Sequence, residues 1–170
     1  MKNVNYLSVA EEVMQQIKSK GAFLVAKSKD GKKINVMTIG WAAIGYMWRK
    51  PIMTVMVRNS RFTHHIIEKA SSFTVSIPTD ALKEALNFCG TKSGRDVDKF
   101  KECKLSVVPA QKVDTPIINL SGFHYECKIV YKSKMNPDFL CKEYKESVYA
   151  DNDYHTLYFG EIVTCYKTFS

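Results

Sequence analysis

The sequence predicts a mainly β fold with some α, an antiparallel sheet closing into a small barrel with helices attached. Three observations carry this. Short apolar runs, some alternating and some continuous, recur along the chain, as strands require. Turn residues fall between them at hairpin spacing, above all in Lys29-Asp30-Gly31-Lys32. Few segments have helical periodicity, so regular β-α-β alternation is absent and antiparallel pairing is favoured. Closing such a sheet on itself removes its exposed edges.

Ser8 to Lys20 is predicted as an amphipathic helix. Ser8 and Glu11 form an S-x-x-E capping box, Ala10, Val13, Met14 and Ile17 share one face, and Gly21 stands where a helix-terminating glycine belongs. Phe23–Lys27 and Ile34–Trp41 then form a hairpin across the Asp30-Gly31 turn. Pro51 leads Ile52-Met53-Thr54-Val55-Met56-Val57, whose nearly unbroken apolar character suits a strand buried on both faces. Ser60 is placed to cap a helix through about Ala70. Phe73–Ile77 alternates as a strand, and Asp80 precedes a helix with Leu82, Ala85, Leu86 and Cys89 along one face. A polar loop, Gly90–Asp96, leads to a short helical turn over Asp96–Lys101. Leu105–Val108 and Phe123–Tyr131 read as strands, the latter with Phe123, Tyr125, Cys127, Ile129 and Tyr131 on one face. Lys134–Glu146 is either a loop or a short helix, and Tyr154–Tyr166 is a final strand containing Gly160.

Composition bounds the function. The 170 residues suit one domain, 1–170, with 45% hydrophobic and 25% charged residues, ordinary globular values. No apolar run reaches the roughly 18 residues of a transmembrane helix, and the N-terminus does not read as a secretory signal. A cytoplasmic protein without membrane attachment is expected. The five cysteines, at 89, 103, 127, 141 and 165, form no C-x-x-C pair and are expected to be reduced thiols. The four histidines have no metal-ligand spacing, so no catalytic metal is expected. The net charge of +8 is scattered singly or in pairs, which reads as a solvated basic surface rather than a nucleic-acid footprint. It also suits anionic small molecules. There is no G-x-S-x-G elbow, Walker A loop or G-x-G-x-x-G fingerprint.

Four segments carry candidate chemistry. Arg58-Asn59-Ser60-Arg61-Phe62-Thr63 places hydroxyls and a guanidinium where a strand runs into a helix, a geometry for an anion. Read alone, it favours a capped helix with an exposed arginine. Asn35-Val36-Met37-Thr38-Ile39-Gly40-Trp41 presents strand backbone, a glycine that permits close approach and a flat aromatic, suited to a planar polar heterocycle. It is equally a core strand with a buried Trp and a bulge glycine. The loop with Ser93, Gly94, Arg95 and Lys99 could grip an anion from a second side, or be mobile. His155, before the last strand, could orient a reductant, or be a strand-edge residue. His64 and His65 read as structural, with His64 better placed to face a ligand.

Taken in order, several pieces resemble the flavin reductase-like family, the FMN-binding split β-barrels that include the flavoredoxins. They are Asn35-x-Met37-Thr38-x-Gly40-Trp41, the Pro51-led strand, Arg58-x-Ser60-Arg61-x-Thr63-His64, Phe73-Thr74-Val75-Ser76, Cys89-Gly90-x-x-Ser93-Gly94-Arg95-Asp96-x-Asp98-Lys99-Phe100, and His155 with Phe159-Gly160-Glu161-Ile162-Val163. The resemblance spans about Gly21 to Val163. It implies an FMN-binding split β-barrel with peripheral helices, assembled as a homodimer with FMN near the interface. It implies isoalloxazine contacts from Asn35, Met37, Thr38, Ile39, Gly40 and Trp41. It implies phosphate contacts from Arg58, Ser60, Arg61 and Thr63, with Ser93, Gly94, Arg95 and Lys99 closing over, and His155 near the docking reductant. The implied activity is NAD(P)H-dependent flavin reduction. The alternative is a flavoredoxin-like carrier passing electrons to a redox partner protein.

Overall fold

The computed structural model describes residues 1–80 and 82–169. Among the described residues, ten strands and five helices follow in the order β1 (Lys2–Asn3), α1 (Ala10–Lys20), β2 (Ala22–Lys27), β3 (Ile34–Ile39), β4 (Ala42–Met47), β5 (Lys50–Arg58), α2 (Phe62–Ile67), β6 (Ser72–Pro78), α3 (Lys83–Thr91), α4 (Lys99–Glu102), β7 (Val107–Val108), β8 (Ile117–Ile118), β9 (Gly122–Lys134), α5 (Lys142–Ser147) and β10 (His155–Thr168). The main sheet runs β3-β2-β6-β9-β10-β5-β4, with β1 added to β10 and every pair antiparallel. Its two end strands are consecutive in the chain, since β3 stops at Ile39 and β4 starts at Ala42. The sheet therefore curls until its edges meet at the Gly40–Trp41 corner, as a split barrel.

The barrel interior holds the main core, including Leu24, Met53, Val55, Val57, Phe73, Val75, Tyr125 and Tyr158. A second cluster lies under α3, where Leu86 and Cys89 cover Phe23, Val25 and Val36 from the opposite face of β2 and β3. This explains why β2 is apolar at consecutive positions: one face points into the barrel and the other lies under a helix. Gly160 permits the closest packing across β10, because a Cβ there would lie 2.6 Å from both Cys127 Cβ and the Phe73 ring.

Several boundaries differ from the sequence expectations. The capping box does not form: Val9 is the N-cap of α1, no side chain caps it, and Ser8 Oγ donates to the Asn5 carbonyl instead. The strand expected through Trp41 ends at Ile39, and a separate strand, β4, pairs with β5 across a two-residue turn. Trp48 and Arg49 occupy that turn at φ 53° and 60°, a left-handed conformation for which neither residue type gives a signal. Helix α2 is shorter than expected, beginning at Phe62 after an uncapped Arg61. Ser60 does not cap it, because its hydroxyl and N–H both donate to the Asp153 carboxylate, at 2.5 and 3.1 Å. Asp80 does not cap α3, whose N-cap is Leu82; the intervening Ala81 lies outside the described residues. Tyr131 leaves the face it was expected to share. The β9–β10 register skips Val130, and the slip turns Tyr131 outward to 51% exposure. The segment left open between loop and helix forms a 3-10 turn, Pro137–Phe139, followed by α5.

Candidate cofactor site

The strand–helix junction and the loop after α3 lie some thirty residues apart in sequence, and the fold joins them. Ser60, Arg61, Thr63, Ser93, Gly94, Arg95 and Lys99 line one pocket of about 100 Å3, with Met37 at its inner wall. Its lining carries four cationic residues, Arg61, Lys92, Arg95 and Lys99. Arg61 sits exposed at the start of α2 and donates to the Gly90 carbonyl at 3.4 Å. Arg95 donates to the Ser60 carbonyl at 3.1 Å, is bonded to His65 Nε2 at 2.8 Å, and stacks over Phe62. Lys99 is 4% exposed, and its ammonium donates to the Cys89 carbonyl at 2.8 Å. Burial holds its pKa below the usual lysine range, with Arg61 adding repulsion. A desolvated cation without an anionic partner is costly, and an anion in this pocket would relieve that cost.

Gly94 keeps the loop against the barrel. A Cβ there would collide with Asn35 Oδ1 and come within 2.8 Å of the Phe62 ring. Asn35 and Thr63 come together, but with each other: Asn35 Nδ2 donates to Thr63 Oγ1 at 2.8 Å, and both are buried. Thr63 reaches the pocket wall, whereas Asn35 lines the neighbouring cavity beyond Gly94. The Ser60 hydroxyl is held by Asp153, and Ser93 Oγ accepts from the Arg95 N–H at 3.2 Å.

A second cavity, about 170 Å3, adjoins the first and shares Met37 and Arg61 with it. Thr38, Ile39, Gly40, Trp41, Met56, Arg58 and His155 complete its lining. Gly40 has open space above its Cα, so a planar ligand can approach the backbone there. Trp41 is 47% exposed, not buried, and its ring lies 5.1 Å from that of His155. Thr38 donates its hydroxyl proton to the Leu86 carbonyl at 2.6 Å, so toward this cavity it is an acceptor only. Arg58 is committed structurally: it donates to the carbonyls of Asp153 at 2.7 Å and Val148 at 3.1 Å, and covers the Tyr149 ring. Its charge is partly offset by an ion pair with Asp151 at 3.3 Å.

His155 is buried at the first position of β10, opposite Arg58. Its Nδ1 is bonded to the Tyr149 hydroxyl at 2.8 Å. Burial lowers its pKa to about 4, with Arg58 reinforcing the shift, so the ring is neutral at pH 7. His64 is bonded to Thr156 Oγ1 at 3.2 Å and lines neither cavity. Sequence reasoning did not select Met56, Phe62 or Tyr149. Met56 could have been found from strand alternation, since it shares a face with Arg58. Nothing local marks Tyr149, which reaches His155 through a loop.

The fold is that of a split barrel, and comparison with known proteins agrees. The family described as Flavin reductase like domain matches residues 14–168, and the chain belongs to that family. An uncharacterised protein of Archaeoglobus fulgidus is 30% identical over 132 residues, 78% of this chain, and the chain spans 64% of that relative's length. Among solved structures, flavoredoxin from Methanosarcina acetivorans aligns with a TM-score of 0.68 at 25% identity, covering 88% of this chain and 68% of that one. Flavoredoxin of Desulfovibrio vulgaris (Miyazaki F) aligns with a TM-score of 0.67 at 24% identity, covering 87% and 69%. Among the described residues, no helix is long and apolar enough to cross a membrane.

Proposed function

We propose that this chain is an NAD(P)H-dependent flavin reductase that holds FMN across the two joined cavities. The observation that carries this reading is their continuity: a cationic pocket with a buried ammonium, paired with no carboxylate among the described residues, opens past Met37 and Arg61 into a cleft walled by strand backbone. The donor set fits a phosphate, from Arg61, Arg95, Ser93 and Lys99. The open space at Gly40 and the exposed Trp41 face fit a flat ring. FMN, when bound, would supply the two-electron chemistry that accepts a hydride from the nicotinamide.

The protein's part is binding and orientation. Backbone groups of residues 37–40 meet the polar ring edge, and Arg58 and Arg61 keep the cleft electropositive. His155, neutral and held by Tyr149, orients the reductant rather than supplying charge. The apolar face beside the cleft, with Trp41, Ala43, Met47, Leu157 and Phe159, is where a second copy would pack to give a homodimer. A cytoplasmic setting suits the reductant. The flavoredoxin-like carrier is the second reading, favoured by the likeness to two flavoredoxins. In that case a redox partner protein would replace free flavin as acceptor.

A visible absorption spectrum of the purified protein, then anaerobic addition of NADH and NADPH, tests both. A bound flavin that bleaches with either nucleotide supports the reductase. A bound flavin that does not bleach supports the carrier. A colourless protein that fails to bind added FMN overturns both.

A further inference from the structure

Cys89 and Cys103 lie side by side, with their Sγ atoms 3.9 Å apart. Both are free thiols. Cys89 sits on α3, buried, and contributes to the wall of the cationic pocket. Cys103 ends α4 and is half-buried, so small oxidants can reach it. The pair brackets the segment that carries Lys99. The Lys99 ammonium donates to the Cys89 carbonyl at 2.8 Å, and the Cys103 N–H donates to the Lys99 carbonyl at 3.1 Å. Bonding the sulfurs requires closing the gap to about 2.05 Å, a movement of about 2 Å shared between two side chains and a four-residue helix.

We propose that Cys89 and Cys103 form a reversible dithiol–disulfide couple, oxidised by hydroperoxides, that locks the Lys99 segment against α3. The Cys103 thiolate attacks the O–O bond of hydrogen peroxide. An S–O bond forms, the O–O bond breaks, and the departing hydroxide takes up a proton as water. Cys103 is now a sulfenic acid, oxidised by two electrons. The Cys89 sulfur then attacks the Cys103 sulfur; the S–S bond forms, the S–O bond breaks, and the hydroxide leaves with the Cys89 proton as a second water. Two thiols and one peroxide thus become one disulfide and two waters. A dithiol reductant reverses the change by exchange.

The order of events follows from the surroundings. Burial pushes the Cys89 thiol up to about 12, and the neighbouring Cys103 reinforces this, while the Lys99 ammonium opposes it. Cys103 therefore meets the oxidant first. Oxidation of Cys103 removes the sulfur contact that helps to hold the Cys89 proton, and the neighbouring Lys99 ammonium favours its release. Cys127 and Cys165 are buried in the barrel, and Cys141 is exposed. Cys141 is therefore the thiol to remove in a test.

The test uses the full chain carrying Cys141→Ser, treated with one equivalent of hydrogen peroxide. Thiols are counted under denaturing conditions, and tryptic peptides are mapped by mass spectrometry. The expected result is a loss of two thiols and a linked pair of peptides, 84–92 with 102–104, both reversed by dithiothreitol. The oxidised protein should melt roughly 5 °C or more above the reduced one, the scale for closing a loop of this length. Adding Cys103→Ser should abolish the linkage and the shift. Absence of the linked peptide, oxidation only to sulfinic acid, or a linked protein with an unchanged melting point would each overturn the proposal. These readouts need no bound flavin, so they stand or fall separately from the reductase reading.

Discussion

Replacing Lys99 by methionine should separate phosphate recognition from everything else the site does. Methionine roughly preserves the volume of the buried stem and removes only the ammonium. In the free protein one of the three N–H donors goes to the Cys89 carbonyl, and the others have no protein acceptor among the described residues. A hydrogen bond to a charged group contributes about 1.5–3 kcal/mol, so losing the ammonium should weaken FMN binding by roughly 10- to 150-fold. Riboflavin has the same ring and no phosphate, so its affinity should change little. Fluorescence titrations of both ligands against parent and variant give the comparison, and melting curves check the fold. Stability should shift little, because two effects oppose each other. The Cys89 carbonyl loses its donor, and a desolvated, unpaired cation disappears. An equal loss for FMN and riboflavin would mean that Lys99 acts through packing. An unchanged FMN affinity would mean that no phosphate reaches it, and either result refutes the assignment.

Arg61→Ala should weaken FMN by about 1–3 kcal/mol with riboflavin again the control, since the side chain is exposed and its one bond, to Gly90, is long. Gly94→Ala should destabilise the protein by about 1–3 kcal/mol in urea titrations, because the added methyl collides with Asn35 and Phe62; an unchanged midpoint would show that the loop is not seated as described. Acid should unfold the protein partly through His124, buried between Ser76, Leu120 and Thr168, whose pKa burial lowers from 6.5 to about 4. The unfolded chain binds the extra proton first, so this stabilising contribution is complete above pH 6.5 and is lost as pH falls toward 4. The shift corresponds to about 3 kcal/mol. His155, lowered by burial to about 4, contributes over the same window, so His124→Gln should roughly halve the slope of the urea-midpoint profile, and an unchanged slope would exclude His124 as a source.

Much of the architecture follows from local rules. The Asp30-Gly31 turn, the apolar run from Ile52 to Val57 and the alternation around Phe73 each specify a strand through backbone and side-chain preferences that need no distant partner. Local chemistry also singled out the strand–helix junction and the glycine loop, which the fold brings to one pocket. Other features depended on distant groups. Ser60 has the chemistry of a helix cap, but Asp153, far along the chain, competes for its hydroxyl and wins with a charge-assisted bond. Trp48 and Arg49 turn a hairpin without a turn signature, because pairing along β4 and β5 outweighs the local cost of two left-handed residues. Asn35 and Thr63, read from sequence as ligand contacts, also satisfy each other where burial removes water.

The sequence by itself determined most of the longer strands, the barrel class and the two segments proposed to build a flavin site. Only the tertiary structure decided that those segments share one cavity, that Lys99 is buried there, and that His155 is kept neutral by burial and bonded to Tyr149. Strand and turn preferences act between neighbours in sequence. Burial, charge competition and cavity shape arise only when the sheet closes and brings distant residues together.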